Sequence, residues 1–190
     1  MRKKDFFVHE KALCESKSIG KDTRIWAFAH VMDDVVIGKD CNIGSHIFIE
    51  SGVRIGNRVT VKNGISIWDG VTIEDDVFLG PNCVLTNDLL PRSKGYTENI
   101  KTLIKKGSSI GANATVLCGI TVGEYSMIGA GSVVTKSVTP FSLVVGNPAK
   151  FRYFISLNGK KLEFDKDNIS IDSENNKYVL GTNGIVRLEI

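Results

Sequence analysis

The stretch IGKDCNIGSHIFIESGVRIG, residues 37–56, places isoleucine at 37, 43, 49 and 55, with glycine following three of the four. Carried outward, the same beat of six lands on Phe7, Leu13, Ile19, Ile25 and Val31 before it. After it come Val61, Ile67, Ile73, Leu79 and Leu85. In a chain that is 42% hydrophobic, fourteen apolar landings in one phase arise by chance roughly once in 10⁴ to 10⁵ trials. The fifth residue of each hexad is also small or apolar, as at Ala29, Val35, Cys41, Ile47, Val53, Val59, Ile65, Val71, Val77 and Cys83. A second block resumes the beat at Ile110, Val116, Val122, Ile128 and Val134.

A period of six is neither the 3.6 of a helix nor the 2 of a plain strand. It describes a short strand, a corner and another short strand, with hexad positions 1 and 5 pointing inward. The glycines after the stops are expected to relieve unusual corner dihedrals. Three hexads close one coil of a triangular prism, and coils stack through parallel strand pairing about 4.8 Å apart. Hexapeptide repeats are a signature of the parallel β-helix; the strands of a β-sandwich would not hold one phase for so long. Nineteen stops predict about six coils and a prism roughly 29 Å tall. Residues before Ile19 keep the beat but lack glycine, as expected of a capping first coil.

At 190 residues the chain reads as one domain with an appendage. No apolar run is long enough to span a membrane, and the charged residues Met1–Lys4 are not followed by the apolar region of a secretory signal. Cys14, Cys41, Cys83 and Cys118 form no C-x-x-C pair, which reads as reduced thiols and a cytoplasmic setting. The net charge is +3. Residues 86–109 carry an equal excess, from Arg92, Lys94, Lys101, Lys105 and Lys106 over Asp88 and Glu98. That concentration suits a small anionic ligand rather than a nucleic acid, since no broad basic face appears.

Between Leu85 and Ile110 the register breaks. The predicted organisation is a repeat domain over residues 1–150 with a loop extruded at 86–109, then an appendage over 151–190. In the appendage, Leu162 and Phe164, then Ile169 and Ile171, alternate with polar residues. Asn158-Gly159 and Asn183-Gly184 are hairpin turns. The appendage is expected to be a small antiparallel sheet that caps the last coil or packs on a neighbouring subunit.

Coils of three hexads stack residues eighteen apart. One corner column then reads Asp33, Ser51, Asp69, Asn87, and beside it run Met32, Glu50, Trp68, Thr86. Two others read Phe28, His46, Gly64, Asn82 and His30, Phe48, Ser66, Val84. Asn87 sits where the basic loop leaves the prism, so a polar corner, the Trp68 ring and the loop converge. Gly111 and Ala112 lie eighteen before Gly129 and Ala130, forming a wall of small residues.

The hexads Ile110–Thr115 and Ile128–Val133, with Val134-Thr135-Lys136 and Gly146-Asn147-Pro148-Ala149-Lys150, resemble the left-handed β-helix acyltransferases that use acyl-coenzyme A. Arg24-Ile25-Trp26, His30-Val31, residues 73–81, Thr86-Asn87-Asp88 and Pro91-Arg92 are similar to one branch, the nucleotide-sugar N-acetyltransferases acting on 3-amino sugars. The resemblance spans residues 7–150 and implies the left hand, a homotrimer with active sites between subunits, and acetyl-CoA as co-substrate without a metal. It assigns Asn87 to the sugar amine and His30 as the candidate base. Trp68, Asp69 and Glu50 would meet the substrate, with Arg92 and Lys94 at the diphosphate. Gly111, Ala112, Gly129, Ala130, Lys136, Asn147, Pro148 and Lys150 would meet the cofactor. A dTDP-linked 3-amino-3,6-dideoxyhexose for cell-surface polysaccharide is the expected acceptor, with a UDP-linked 3-aminoglucuronate next. His46 and Lys62-Asn63-Gly64 depart from the branch. Rival readings are an O-acetyltransferase, which needs a strong base, a non-catalytic scaffold, and a zinc enzyme. The last requires three imidazoles per metal, and the later coils have no histidine.

Overall fold

Two-residue strands alternate with four-residue corners, and most strands pair in parallel with the strand eighteen residues further on, as Arg24 does with Asn42 and Ile25 with Ile43. The computed structural model describes residues 5–95, 100–182 and 184–189, which form a parallel β-solenoid with no helix among them. Eight parallel strands stack on the first face, from Phe7–Val8 and Arg24–Ile25 up to Met127–Ile128 and Ser142–Val145. That makes about seven turns rather than six. The second face runs from Leu13–Cys14 through His30–Val31, Phe48–Ile49 and Ser66–Ile67, then through Val84–Leu85, Thr115–Val116 and Val133–Val134. The third runs from Ser18–Ile19 through Val36–Ile37, Arg54–Ile55, Val71–Ile73 and Thr102–Ile104 to Thr121–Val122. Hexad positions 1 and 5 fill the interior, with Ile25, Val31, Val35, Ile43 and Ile49 fully shielded from solvent.

The first coil departs from the expected phase. Phe7 pairs with Arg24 and Val8 with Ile25, while Leu13 pairs with His30 and Cys14 with Val31. Phe7 and Leu13 therefore face outward, 46% and 54% exposed, and Val8 and Cys14 take the inward columns. The register comes right at Ser18–Ile19, where the Ser16 hydroxyl donates to the Val35 carbonyl at 2.6 Å.

The glycines that follow the stops do not serve the dihedrals predicted for them. The left-handed residue of each corner is the fourth of the hexad, as at Phe28, Asp40, His46, Arg58, Asp76, Asn82 and Asn113, with φ between 55° and 62°. Asp and Asn suit that region because their side chains bond locally. The post-stop glycines are needed because coils stack so closely. A Cβ on Gly111 would lie 2.5 Å from the backbone nitrogen of Ala130, and one on Gly80 would lie 2.7 Å from that of Ala112.

The extruded loop is shorter than residues 86–109. Thr102–Ile104 pairs with Val71–Ile73 on one side and with Thr121–Val122 on the other, so Ile104 is a stop the hexad count passed over. Lys105 and Lys106 accordingly belong to the prism. Lys105 pairs with Glu124 at 3.6 Å, and the Lys106 N–H donates to the Glu74 carboxylate at 2.9 Å. The loop keeps Arg92, Lys94 and Lys101; Glu98 lies outside the described residues.

Lys150–Phe154 runs antiparallel to Ser142–Val145, so the solenoid's first sheet continues past residue 150. Beyond it, Ile169–Ile171, Lys177–Leu180 and Val186–Glu189 form an antiparallel sheet. This sheet packs on the last coils of its own chain. Tyr125 stacks on Phe141, Phe141 meets Tyr178 edge-on at 5.7 Å, and Leu162 and Val186 complete that small core. The fully buried Tyr178 hydroxyl donates to Asp172 at 2.8 Å and accepts the Leu157 N–H at 3.0 Å.

Candidate active site

On the second face Ser66–Ile67 and Val84–Leu85 lie on adjacent coils without a paired ladder between them, while both other faces pair continuously past that level. The corner beside this break holds Trp68 and Asp69, and one coil higher Thr86 and Asn87, where the loop departs. Thr86 and Thr102 fasten the two ends of the loop. The Thr86 hydroxyl accepts the Cys118 N–H at 3.0 Å, the Thr102 hydroxyl accepts the Gly119 N–H at 3.2 Å, and the Thr102 N–H donates to the Gly70 carbonyl at 3.0 Å. Thr86 was read from sequence only as a column and motif neighbour of Asn87, and Thr102 was not named, its place beside the register break being the one signal.

Asn87 is exposed and makes no hydrogen bond with the described residues. Its amide is open to a ligand. Trp68 is half-buried and leans on Phe48, with centroids 5.7 Å apart. Glu50 and Asp69 are bound into the corner. The Asp69 N–H donates to Glu50 Oε2 at 2.9 Å, and Asp69 Oδ1 accepts the Gly70 N–H at 2.7 Å. Below them the Ser51 hydroxyl reaches Asp33 Oδ1 at 2.7 Å, continuing the polar ladder. Arg92 turns its guanidinium onto the Pro91 carbonyl at 2.8 Å, and Lys94 is exposed.

His30 stands apart from this group. Its Nε2 lies 3.0 Å from Glu15 Oε2 and its ring meets Phe48 edge-on. It belongs to the column His30, Phe48, Ser66, Val84, three coils below the level of Asn87, or about 14 Å at the strand spacing. The structure thus separates the two residues named as catalytic candidates. His46 stacks on Phe28 at the other corner.

Gly111, Ala112, Gly129 and Ala130 lie at the corner between the first and second faces; Asn147 and Pro148 follow Ser142–Val145, and Lys150 opens the antiparallel strand Lys150–Phe154. Asn147 and Pro148 are exposed and joined by a cis peptide bond. Lys136 lies on the far side of the second face, in a pocket of ≈ 190 Å³ shared with Val134, Ala149 and Phe151. Most of the cofactor set therefore occupies one edge of the second face, and the Trp68–Asn87 set occupies the other.

None of the four cysteines is in a disulfide, and burial pushes the Cys83 thiol up to about 12 and likewise raises Cys41. Among the described residues no group of three His, Cys, Asp or Glu side chains is placed to hold a metal, and no helix is long and apolar enough to cross a membrane.

One further feature was missed. Trp26, Asn42, Lys62, Asn63 and Pro81 line a pocket of ≈ 560 Å³ at the corner between the first and second faces. The signal was available, since Gly44-Ser45 and Lys62-Asn63 follow Trp26-Ala27 at successive intervals of eighteen.

The profile of the family described as bacterial transferase hexapeptide (six repeats) matches residues 16–46, 47–87 and 101–136. It begins beyond the out-of-phase first coil and skips the extruded loop. Among curated proteins, the dTDP-3-amino-3,6-dideoxy-α-D-galactopyranose 3-N-acetyltransferase of Aneurinibacillus thermoaerophilus is 51% identical over 159 residues, covering 83% of each chain. Among solved structures, a hexapeptide-repeat acetyltransferase of Vibrio cholerae complexed with acetyl coenzyme A aligns with a TM-score of 0.57 and 26% identity, over 63% of this chain and 70% of that one. A galactoside acetyltransferase in complex with coenzyme A aligns with a TM-score of 0.58 and 26% identity, over 72% of each chain.

Proposed function

The chain belongs to the bacterial transferase hexapeptide family, and on that premise we propose that it transfers an acetyl group from acetyl-CoA to the 3-amino group of a dTDP-linked 3-amino-3,6-dideoxyhexose. The observation that carries this reading is the 51% identity to a 3-N-acetyltransferase over 83% of both chains. The corner that carries Trp68 and the exposed Asn87 supplies a place for the chemistry.

The amine nitrogen attacks the thioester carbon, forming the C–N bond as the C–S bond breaks. The proton lost from nitrogen passes to the departing thiolate, so no side-chain base is required. Asn87 accepts from the amine through its carbonyl oxygen and holds the lone pair in line with the carbon; such alignment is a main source of rate in group transfer. Trp68 and the Glu50–Asp69 corner shape the hexose side, and Arg92 and Lys94 face the diphosphate.

The placement of the two residue sets on opposite edges of the second face favours a homotrimer. In parallel copies, the Trp68–Asn87 edge of one faces the corner of the next that carries Gly80, with Gly111 and Gly129 one and two coils above Asn87, and acetyl-CoA lies between them. Lys136, Asn147, Pro148 and Lys150 stand at the top of that groove. The free thiols fit the reducing cytoplasm, and the product serves cell-surface polysaccharide assembly.

The test is release of free coenzyme A thiol from acetyl-CoA, measured against dTDP- and UDP-linked 3-amino sugars and against simple sugar alcohols. Release with the dTDP-amino sugar is expected. Release only with the alcohols would replace N-acetylation by O-acetylation.

A further inference from the structure

The lower end of the corner that carries Gly111, Ala112, Gly129 and Ala130 is built differently from its upper end. The same two columns, read from below, are Trp26, Gly44, Lys62, Gly80, Gly111, Gly129 and Ala27, Ser45, Asn63, Pro81, Ala112, Ala130. Above Gly80 both are reduced to glycine and alanine, a bare groove for a thin ligand. Below it they carry an indole, an ammonium and an amide around the ≈ 560 Å³ pocket. That volume lies within the range of small-molecule sites.

Each group is held in place. Trp26 is 39% exposed, yet its Nε1 donates to Asn42 Oδ1 at 2.8 Å and Phe7 packs against it with centroids 5.6 Å apart. The ring is thus held on two sides while it lines the pocket. Asn63 Oδ1 accepts the Ser45 N–H at 3.0 Å, leaving its amide nitrogen to donate outward. Gly44 permits this approach, because a Cβ there would lie 2.5 Å from Asn63 Oδ1. Lys62 is exposed, with its ammonium 5.9 Å from the Phe78 ring centroid, and no carboxylate among the described residues lies within ion-pair distance of it.

We propose that this pocket binds the nucleoside diphosphate half of the substrate, with the base stacked on Trp26 and the diphosphate met by Lys62 and the Asn63 amide. The inference rests on the acetyl-transfer reading above. It adds that nucleotide and coenzyme A lie end to end along one corner, the nucleotide over the lower coils and the pantetheine over the upper ones. From the Trp26 coil to the Gly80 coil is three steps, about 14 Å, over which a base, its sugar and a diphosphate extend. Their reacting ends then meet at the Gly80–Pro81 level. Asn87 lies on that same coil, so the adjoining copy brings it to the junction.

The test is calorimetric titration of thymidine diphosphate alone, and separately of acetyl-CoA, into the full-length protein and its Trp26→Ala and Lys62→Ala variants. Each substitution is expected to weaken thymidine diphosphate binding at least tenfold while leaving acetyl-CoA affinity within twofold. Circular dichroism verifies folding, and Lys62→Ala, at an exposed position, keeps the test decisive if Trp26→Ala misfolds. Unchanged thymidine diphosphate affinity in the folded variants, or none in the wild type, overturns the assignment. Wild-type protein that binds thymidine diphosphate in this pocket but releases no coenzyme A with any amino-sugar nucleotide upholds the pocket and removes the acetyl-transfer reading instead.

Discussion

Thr86 and Thr102 stand at the two roots of the extruded loop, and their hydroxyl oxygens accept the consecutive N–H groups of Cys118 and Gly119 in the coil above. The loop is therefore anchored to the solenoid from both ends, whatever its tip does. Replacing either threonine by valine keeps the shape but leaves a backbone N–H without its acceptor, at a cost of about 1–3 kcal/mol. Thermal unfolding is expected to report the larger loss for Thr102→Val, because Thr102 is 1% exposed. Equal stability of both variants and wild type would remove the anchoring role.

Asn87→Ala is expected to lower kcat about 100-fold, the scale of a lost alignment, with little change in KM for acetyl-CoA. His30→Ala is expected to keep activity within about tenfold, since general base assistance contributes at least 10² where it operates. His30 lies three coils below Asn87 in any parallel arrangement. Steady-state kinetics on both variants decide this; abolition of activity by His30→Ala alone would favour hydroxyl chemistry.

The glycines separate into two kinds by what their substitution does. Gly111→Ala drives a methyl into the backbone of Ala130 and is expected to destabilise by about 1–3 kcal/mol. Gly131 has φ of 67° with open space around its Cβ, in the column where Asn82 and Asn113 already adopt that conformation. Gly131→Asn is therefore expected to leave the unfolding midpoint nearly unchanged, and the pair measured together tests the difference.

The C-terminal cap carries its own pH signature. Hydrogen bonds from Asn176 foremost, and from Tyr178, lower Asp172 to about 2 from an ordinary 3.8. Burial foremost raises Tyr178 to about 12 from 10.0. The Asp172 contribution is thus complete above about 4 and lost as pH falls toward 2, while that of Tyr178 is complete below about 10 and lost as pH rises toward 12. Unfolding midpoints across pH should show that plateau, and Tyr178→Phe should remove the alkaline decline attributable to this group.

The prism was readable because each buried column repeats one chemical choice, and the step of eighteen located Trp68, Asp69 and Asn87 on one corner. The errors share a cause, which is that apolarity marks a beat without fixing its phase. Phe7 and Leu13 kept the rhythm while facing outward, because the stretch from Cys14 to Ile19 is one residue short of a hexad. The His30–Glu15 contact spans fifteen residues, a diagonal that columns of eighteen do not show. Ile104 was passed over because it follows directly on the loop, and Lys105 and Lys106 were credited to the loop with it. Side-chain orientation at the Trp26 pocket depends on the Nε1–Asn42 bond, which no column reveals.

The most direct test of a site shared between copies is subunit mixing. Asn87→Ala spoils one edge of the second face, and Ala130→Trp, at an exposed position, obstructs the other. Each variant alone should be nearly inactive. Unfolded and refolded together in equal amounts, they should regain coenzyme A release at about a quarter of the interfaces, where an intact Asn87 edge meets an intact Ala130 edge. A mixture no more active than its components would show that both edges serve the site within one chain, contradicting the account.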